Sequence, residues 1–267
     1  MKKKKKKRIR ILAIIVLLII IGLGIFYFYQ NNGDIPFDIT DINTTKTEKK
    51  KLTIYDEDSN KRPIAVMIDN NVGYASQVGL QDAFVTYEAI VEGGLTRIMA
   101  IFKDSNTELI GPVRSSRHYF LDYALEYDAI YAHYGWSTFA ENDIKSLGVN
   151  NINGLYRDAA YWRDTRIAAP HNVFTNIETL YKDAAKLGYK TTSNDWDALP
   201  LTSDTIDLAK LSDESVVANK VTIPYSTSQV RSYAYDSERK VYLRYMNHNA
   251  HIDRDSKEQY HYKNIII

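Results

Sequence analysis

From Ile11 to Tyr29 the chain carries no charged residue and no proline. As a helix that stretch would reach about 28 Å, close to the hydrocarbon thickness of a bilayer. Eight of the ten residues before it are Lys or Arg. A segment of this kind is stable in lipid and leaves only the residues after 30 to build a water-soluble fold. It ends Gly-Ile-Phe-Tyr-Phe-Tyr at 24–29, with aromatics at headgroup level and no small-residue cleavage site, so the expectation is an uncleaved transmembrane anchor over residues 11–29. The lysine block at 1–10 would stay in the cytoplasm and everything after residue 30 would lie outside.

The anchor hides a charge asymmetry. Lys plus Arg number 34 and Asp plus Glu 33, but all eight basic residues before position 30 sit in the head. The remainder holds 26 basic against 33 acidic residues, a balance that disfavours non-specific nucleic-acid binding. There is no cysteine, which excludes disulfides, thiolate metal sites, a cysteine nucleophile and a lipid-modified N-terminal cysteine.

Residues 30–61 are polar without a sustained period and read as a tether. The main domain is expected over 62–190. IAVMID at 64–69 is a buried-strand signal, and 83–91 and 95–102 read as two strands joined at Glu92-Gly93-Gly94, with a helix over part of 80–90 as the alternative. Apolar residues at 119, 120, 123, 124 and 127 predict a helix from Ser115, with Ser115 or Ser116 as its cap. A strand at 129–132 leads into His133, and helices are expected at 137–147 and 178–187, each ending at a glycine. Residues 191–218 form a second polar linker. Strand-like pieces from 219 to 267 predict a smaller β-rich module that stops mid-strand on three isoleucines and so reads as truncated. The fold class expected is α+β, a mixed sheet with flanking helices.

Four clusters could carry chemistry. Asp69-Asn70 ends the first strand, where active-site residues of such sheets often sit, although a turn or cap role is the commoner one. Glu88 and Glu92, four residues apart beside Arg97, could supply a general acid and base or simply flank a hairpin. In GPVRSSR at 111–117, Arg114 and Arg117 could grip an anion at a helix N-terminus. Ser115 is a cap more readily than a nucleophile. The last cluster is spread out: His133 with Trp136, Trp162 with Arg163, and His171 with Asn172. The two histidines lie too far apart for a local metal motif, and no metal is expected. His248, His251 and His261 read as surface residues. With no P-loop, dinucleotide fingerprint or nucleophile elbow, no cofactor is expected either.

RPIAVMIDN, GLQDAFVTYEAIVEGGLTRIMAIF, IGPVRSSRHYFLDYA, YAHYGWS, WRD and APHNVFT, in that order, resemble the YerB-like bacterial lipoprotein family, catalogued as a domain of unknown function. IPYSTSQVRSYAYDSERKVYLRYMN resembles its C-terminal module. The resemblance covers residues 62–267. It implies a two-part extracytoplasmic protein of Gram-positive bacteria whose C-terminal module normally continues further. Relatives carry a lipobox cysteine, which this chain lacks. No established reaction comes with the family.

The expected function is therefore a cell-envelope protein that binds an anionic wall glycan or a protein partner through Arg97, Arg114, Arg117 and Arg163. An alternative is a hydrolase or transferase acting on the same glycan or on a phosphodiester, with Glu88, Glu92 or His133 in acid/base roles. A scaffold without a small-molecule site is the third reading. Convergence of these side chains on one cleft would separate the ligand readings from the scaffold.

Overall fold

The computed structural model describes residues 55–56, 58–71, 73, 77–193, 206–210 and 212–267. The basic head, the 11–29 segment, most of the tether and residues 194–205 lie outside the described residues. Among the described residues no helix is long and apolar enough to cross a membrane.

IAVMID forms β1 (Ile64–Asp69), and every one of its six residues is buried. A strand covered on both faces reads as a continuous apolar run, and β1 lies at the centre of a five-stranded mixed sheet. β2 (Val85–Ile90) and β3 (Thr96–Phe102) form the expected hairpin, closed by a tight turn at Glu92–Gly94. β3 pairs antiparallel with β1, placing Arg97 opposite Asp69. β4 (Ile130–His133) runs parallel to β1, and β5 (Asn151–Asn153) parallel to β4. The order is β2-β3-β1-β4-β5.

Side-chain alternation along these strands builds two cores. Ile64, Val66 and Ile68 face Ile177, Leu180 and Ala184 of a helix at Ile177–Lys186. Ala65 and Met67 face Phe120, Leu121 and Ala124 of a helix at Phe120–Glu126, and Ile144 of one at Thr138–Ser146. In chain order these helices are α1 (Phe120–Glu126), α2 (Thr138–Ser146) and α3 (Ile177–Lys186). Ser137 caps α2 by accepting from Ala140 N, and Asn176 caps α3 by accepting from Thr179 N. A two-stranded ribbon, β6 (Trp162–Arg163) and β7 (Val173–Phe174), precedes α3. Gly111 passes so close to β7 that a Cβ there would sit 2.7 Å from the Phe174 ring and 2.8 Å from the Val173 carbonyl. Only glycine fits.

The helix expected from Ser115 begins five residues later. Ser116 N donates to Gly135 O, and Ser116 O accepts from Ser137 N, a parallel bridge that holds residues 115–117 extended. Main-chain pairing with the 135–137 segment thus overrides the helical spacing, and neither serine caps α1.

The C-terminal residues form a second sheet of β8 (Lys220–Ser226), β9 (Gln229–Asp236), β10 (Val241–Met246), β11 (Asn249–Ala250) and β12 (His261–Tyr262). β11 and β12 share one edge of β10. The ladder ends at Tyr262, and residues 265–267 are in no strand.

The two sheets meet around Glu88, whose side chain is 8% exposed. Arg231 Nε lies 2.8 Å from its Oε1, and Arg244 Nη2 donates to its Oε2 at 2.6 Å. Asn70 Nδ2 adds a third bond at 2.6 Å. Burial alone would lower the proton affinity of Arg244, but Glu88 reverses this and holds it above the ordinary arginine value. Removing one partner from a buried pair leaves an uncompensated charge, and here it would leave two. Glu88→Ala should lower unfolding free energy by about 3–5 kcal/mol or more. Lys145→Ala, which breaks an exposed i,i+4 pair on α2, should change it by no more than about 0.5 kcal/mol. Urea unfolding of the full chain checks both.

Candidate anion-binding site

The site forms where the first sheet ends. Asp69 closes β1, Arg97 stands opposite it as the second residue of β3, and the segment at 110–117 folds over both. That segment is stitched by its own backbone. Asp69 N donates to Pro112 O, Val113 N to Val173 O, Arg114 N to Met67 O and Tyr134 N to Arg114 O, at 2.7–3.0 Å. Because Arg114 N and Ser116 N are used internally, and α1 starts later, backbone N–H groups of a helix start do not make this site. The guanidinium groups carry it.

Arg97 is 7% exposed and donates from Nη1 to Ser115 O at 2.5 Å. Burial, then the neighbouring charges of Arg117 and Arg114, push its pKa down to about 10, against weaker opposing pulls from Asp69 and Glu92. It stays protonated at neutral pH, and no carboxylate of the described residues pairs with it.

Arg114 Nη1 donates to Pro170 O at 3.0 Å, while its Nε lies 3.6 Å from Asp69 Oδ2 and has no hydrogen-bond partner among the described residues. The same Asp69 oxygen meets His171 Nδ1. Arg117 grips Glu92 by three donor contacts of 2.6–2.9 Å. Those bonds hold the Glu92 carboxyl down to about 2, although its side chain is 67% exposed. Three guanidiniums and two carboxylates therefore share one corner, with Arg97 left over.

Of the residues singled out from the sequence, Asp69, Glu92, Arg97, Arg114, Ser115, Arg117 and His171 come together here. Arg163 and Asn172 stand on the adjoining ribbon, joined at 2.7 Å, with the Arg163 guanidinium 5.0 Å from the Tyr134 ring centroid. Trp162 is partly exposed beside them. Ser115 offers its carbonyl to Arg97, and no hydrogen bond joins its hydroxyl to a histidine among the described residues.

Glu88 and Asn70 belong to the contact between the two sheets, with both Glu88 oxygens occupied, so the geometry does not give Glu88 an acid/base partner in Glu92. His133 is fully buried below the corner. Its Nδ1–H donates to Gly135 O at 2.7 Å, and Nε2 lies 3.1 Å from Asn151 Oδ1. Burial pushes it down to about 4 and holds it neutral. His251, read from sequence as a surface residue, is also buried, against Arg244 and Gln77.

No group of three or more metal-ligating side chains stands together among the described residues. An open depression of about 350 Å³ lies between residues 164–167 and 254–257. Asp164 pairs with Arg166 and Arg254, and Arg254 with Asp255, while exposed Lys257 donates to the Arg254 carbonyl. None of the cations lining it is buried as Arg97 is.

Fold and site together define a class: a two-module α+β protein with an arginine corner at one end of its mixed sheet. The description "Protein of unknown function (DUF3048) N-terminal domain" matches residues 51–190, and "Protein of unknown function (DUF3048) C-terminal domain" matches residues 221–267. The chain belongs to this YerB-like family. YerB of Bacillus subtilis (strain 168), a candidate lipoprotein, is 34% identical over 226 residues, covering 83% of this chain. The chain spans only 64% of that relative's length. The crystal structure of the same B. subtilis protein superposes with a TM-score of 0.64 at 30% identity, over 79% of this chain and 71% of that one.

The buried histidines set an acid limit on stability. His133 is depressed from its ordinary 6.5 to about 4, and His251 is also pushed down, by burial first and then by Arg244 and Arg231. Between those pH values the unfolded chain takes up protons that the folded chain refuses, so stability falls as pH drops from about 6.5. Glu92 acts lower: its contribution is present above 4.5 and fades as pH falls toward 2. The midpoint of thermal unfolding should therefore decline between pH 7 and 4.5. A His133→Gln chain, less stable at pH 7, should show a shallower decline in the same scan.

Proposed function

We propose that the chain is a membrane-associated extracytoplasmic protein that binds an anionic cell-envelope glycan at the Arg97–Arg114–Arg117 corner, in an accessory role in wall metabolism. The observation that carries this reading is Arg97, a buried guanidinium with no carboxylate partner among the described residues. An unpaired buried charge is expensive, and a bound anion would relieve it. The aromatic surroundings favour a glycan over a protein as the anion's bearer. Ser116 bridges to Trp136, whose ring centroid lies 5.8 Å from exposed Tyr156, and exposed Phe139 lies 5.7 Å from His118. Flat rings beside guanidinium forks suit sugar faces that carry phosphate or carboxylate. The uncharged run at 11–29 and the candidate-lipoprotein relative support the location.

One feature favours a second reading, a hydrolase or transferase acting on the same material. His171 set against the Asp69 carboxylate is the arrangement that orients an imidazole for proton transfer.

Calorimetric titration of the detergent-solubilised full chain with poly(glycerol phosphate) tests the binding reading. Affinity should fall as salt rises, and Arg114→Ala or Arg117→Ala should each weaken it about tenfold or more, as expected for charge-assisted bonds. Binding that survives the double substitution would sink the proposal. Release of soluble fragments from purified wall material, lost in His171→Gln, would favour the enzyme.

A further inference from the structure

We propose that the C-terminal module is a positioning element for the arginine corner, an inference that rests on the anion-binding reading above. Its residues reach the main chain on either side of Asp69 and Arg97 without entering the site. Arg231, fully buried, donates from Nη2 to Asn70 O at 3.0 Å and to Thr96 Oγ1 at 2.8 Å. Asn70 Nδ2 donates to the same Thr96 hydroxyl at 2.8 Å. Asn70 follows Asp69 and Thr96 precedes Arg97, so one guanidinium from β9 ties together the ends of β1 and β3.

A second line starts at Arg244. Its Nη1 donates to His251 Nδ1, which leaves the imidazole proton on Nε2, facing Gln77 Oε1 at 3.1 Å. Gln77 Nε2 in turn donates to the Asp69 carbonyl at 2.8 Å. A third line holds the turn that carries Glu92. Ser226 Oγ donates to Gly94 O at 2.8 Å, and a Cβ on Gly94, at φ +71°, would sit 3.1 Å from Ser226 Cβ.

The three lines converge on the residues that fix where Asp69, Glu92 and Arg97 stand. Side chains held before binding lose less freedom on binding, and such support is what keeps a charged site in register. Coupling of this kind is reciprocal: an anion at the corner should tighten the docking of the module.

Thr96→Val and Arg231→Met test this in the full chain, titrated with poly(glycerol phosphate) under conditions where near-ultraviolet circular dichroism shows each variant folded. Neither substitution removes a group from the corner. Thr96→Val should weaken binding roughly three- to tenfold, because Arg231 Nη2 and Asn70 Nδ2 lose their shared acceptor. The slope of log affinity against log salt should stay at the wild-type value, because the ionic contacts are intact. Arg117→Ala should reduce both affinity and slope. In wild type, the polymer should also slow hydrogen exchange of the β9 and β10 amides, and this slowing should shrink in Thr96→Val. If folded Thr96→Val binds with wild-type affinity, the inference is overturned while the anion site stands. If wild type does not bind, the anion-site reading falls and the inference with it.

Discussion

One carboxylate inside the protein faces two guanidiniums, and the relation between the two sheets follows from that imbalance. Glu88 comes from β2 of the first sheet, and Arg231 and Arg244 from neighbouring strands of the second. A buried ion pair contributes less to net stability than its Coulomb energy implies, because both partners lose water. Its effect is directional: the charges tolerate one arrangement, in which Asn70, Thr96, Gln77 and His251 supply the remaining bonds. A slip of either sheet would strand a cation in an apolar interior.

The same excess of positive charge recurs at the arginine corner one step along β1 and β3. There it lies close to solvent, and only part of it is neutralised internally. Arg117 is matched by exposed Glu92, and Arg114 shares Asp69 with His171. Arg97 sits between them and feels both cationic neighbours. Embedded in a folding part with more acidic than basic residues, this corner is a local reversal of sign. Steering of an anion toward it depends on that contrast more than on net charge.

Much of the main domain was legible in the sequence, because its signals are local. IAVMID is apolar without interruption and became the central strand, and Ser137 and Asn176 sit at the starts of helices whose glycines mark the ends. The helical spacing after Ser115 does not set the helix start, because the competing partner, Gly135 to Ser137, is about twenty residues away and leaves no local trace. Arg114 and Arg117 are visible as a pair, whereas the burial of Arg97 and its lack of a carboxylate ion pair among the described residues depend on tertiary placement. Glu88 illustrates the opposite limit. Its spacing from Glu92 looked like chemistry, but its partners come from β9 and β10, more than 140 positions later. A signal for them did exist, an arginine at an inward position in each of two aromatic strands, VRSYAYD and VYLRYM. Charged residues there need a buried partner, although sequence does not say which.

The corner at 110–117 owes its path to main-chain bonds on three sides: β1, the ribbon before α3, and the 134–137 segment. None of those bonds depends on which side chains occupy positions 114, 115 and 117. The backbone therefore works as a fixed mount whose side chains can be exchanged one at a time. A lineage could alter the charge, reach or shape presented at this end of the sheet, and so the ligand it takes, without having to rediscover the fold.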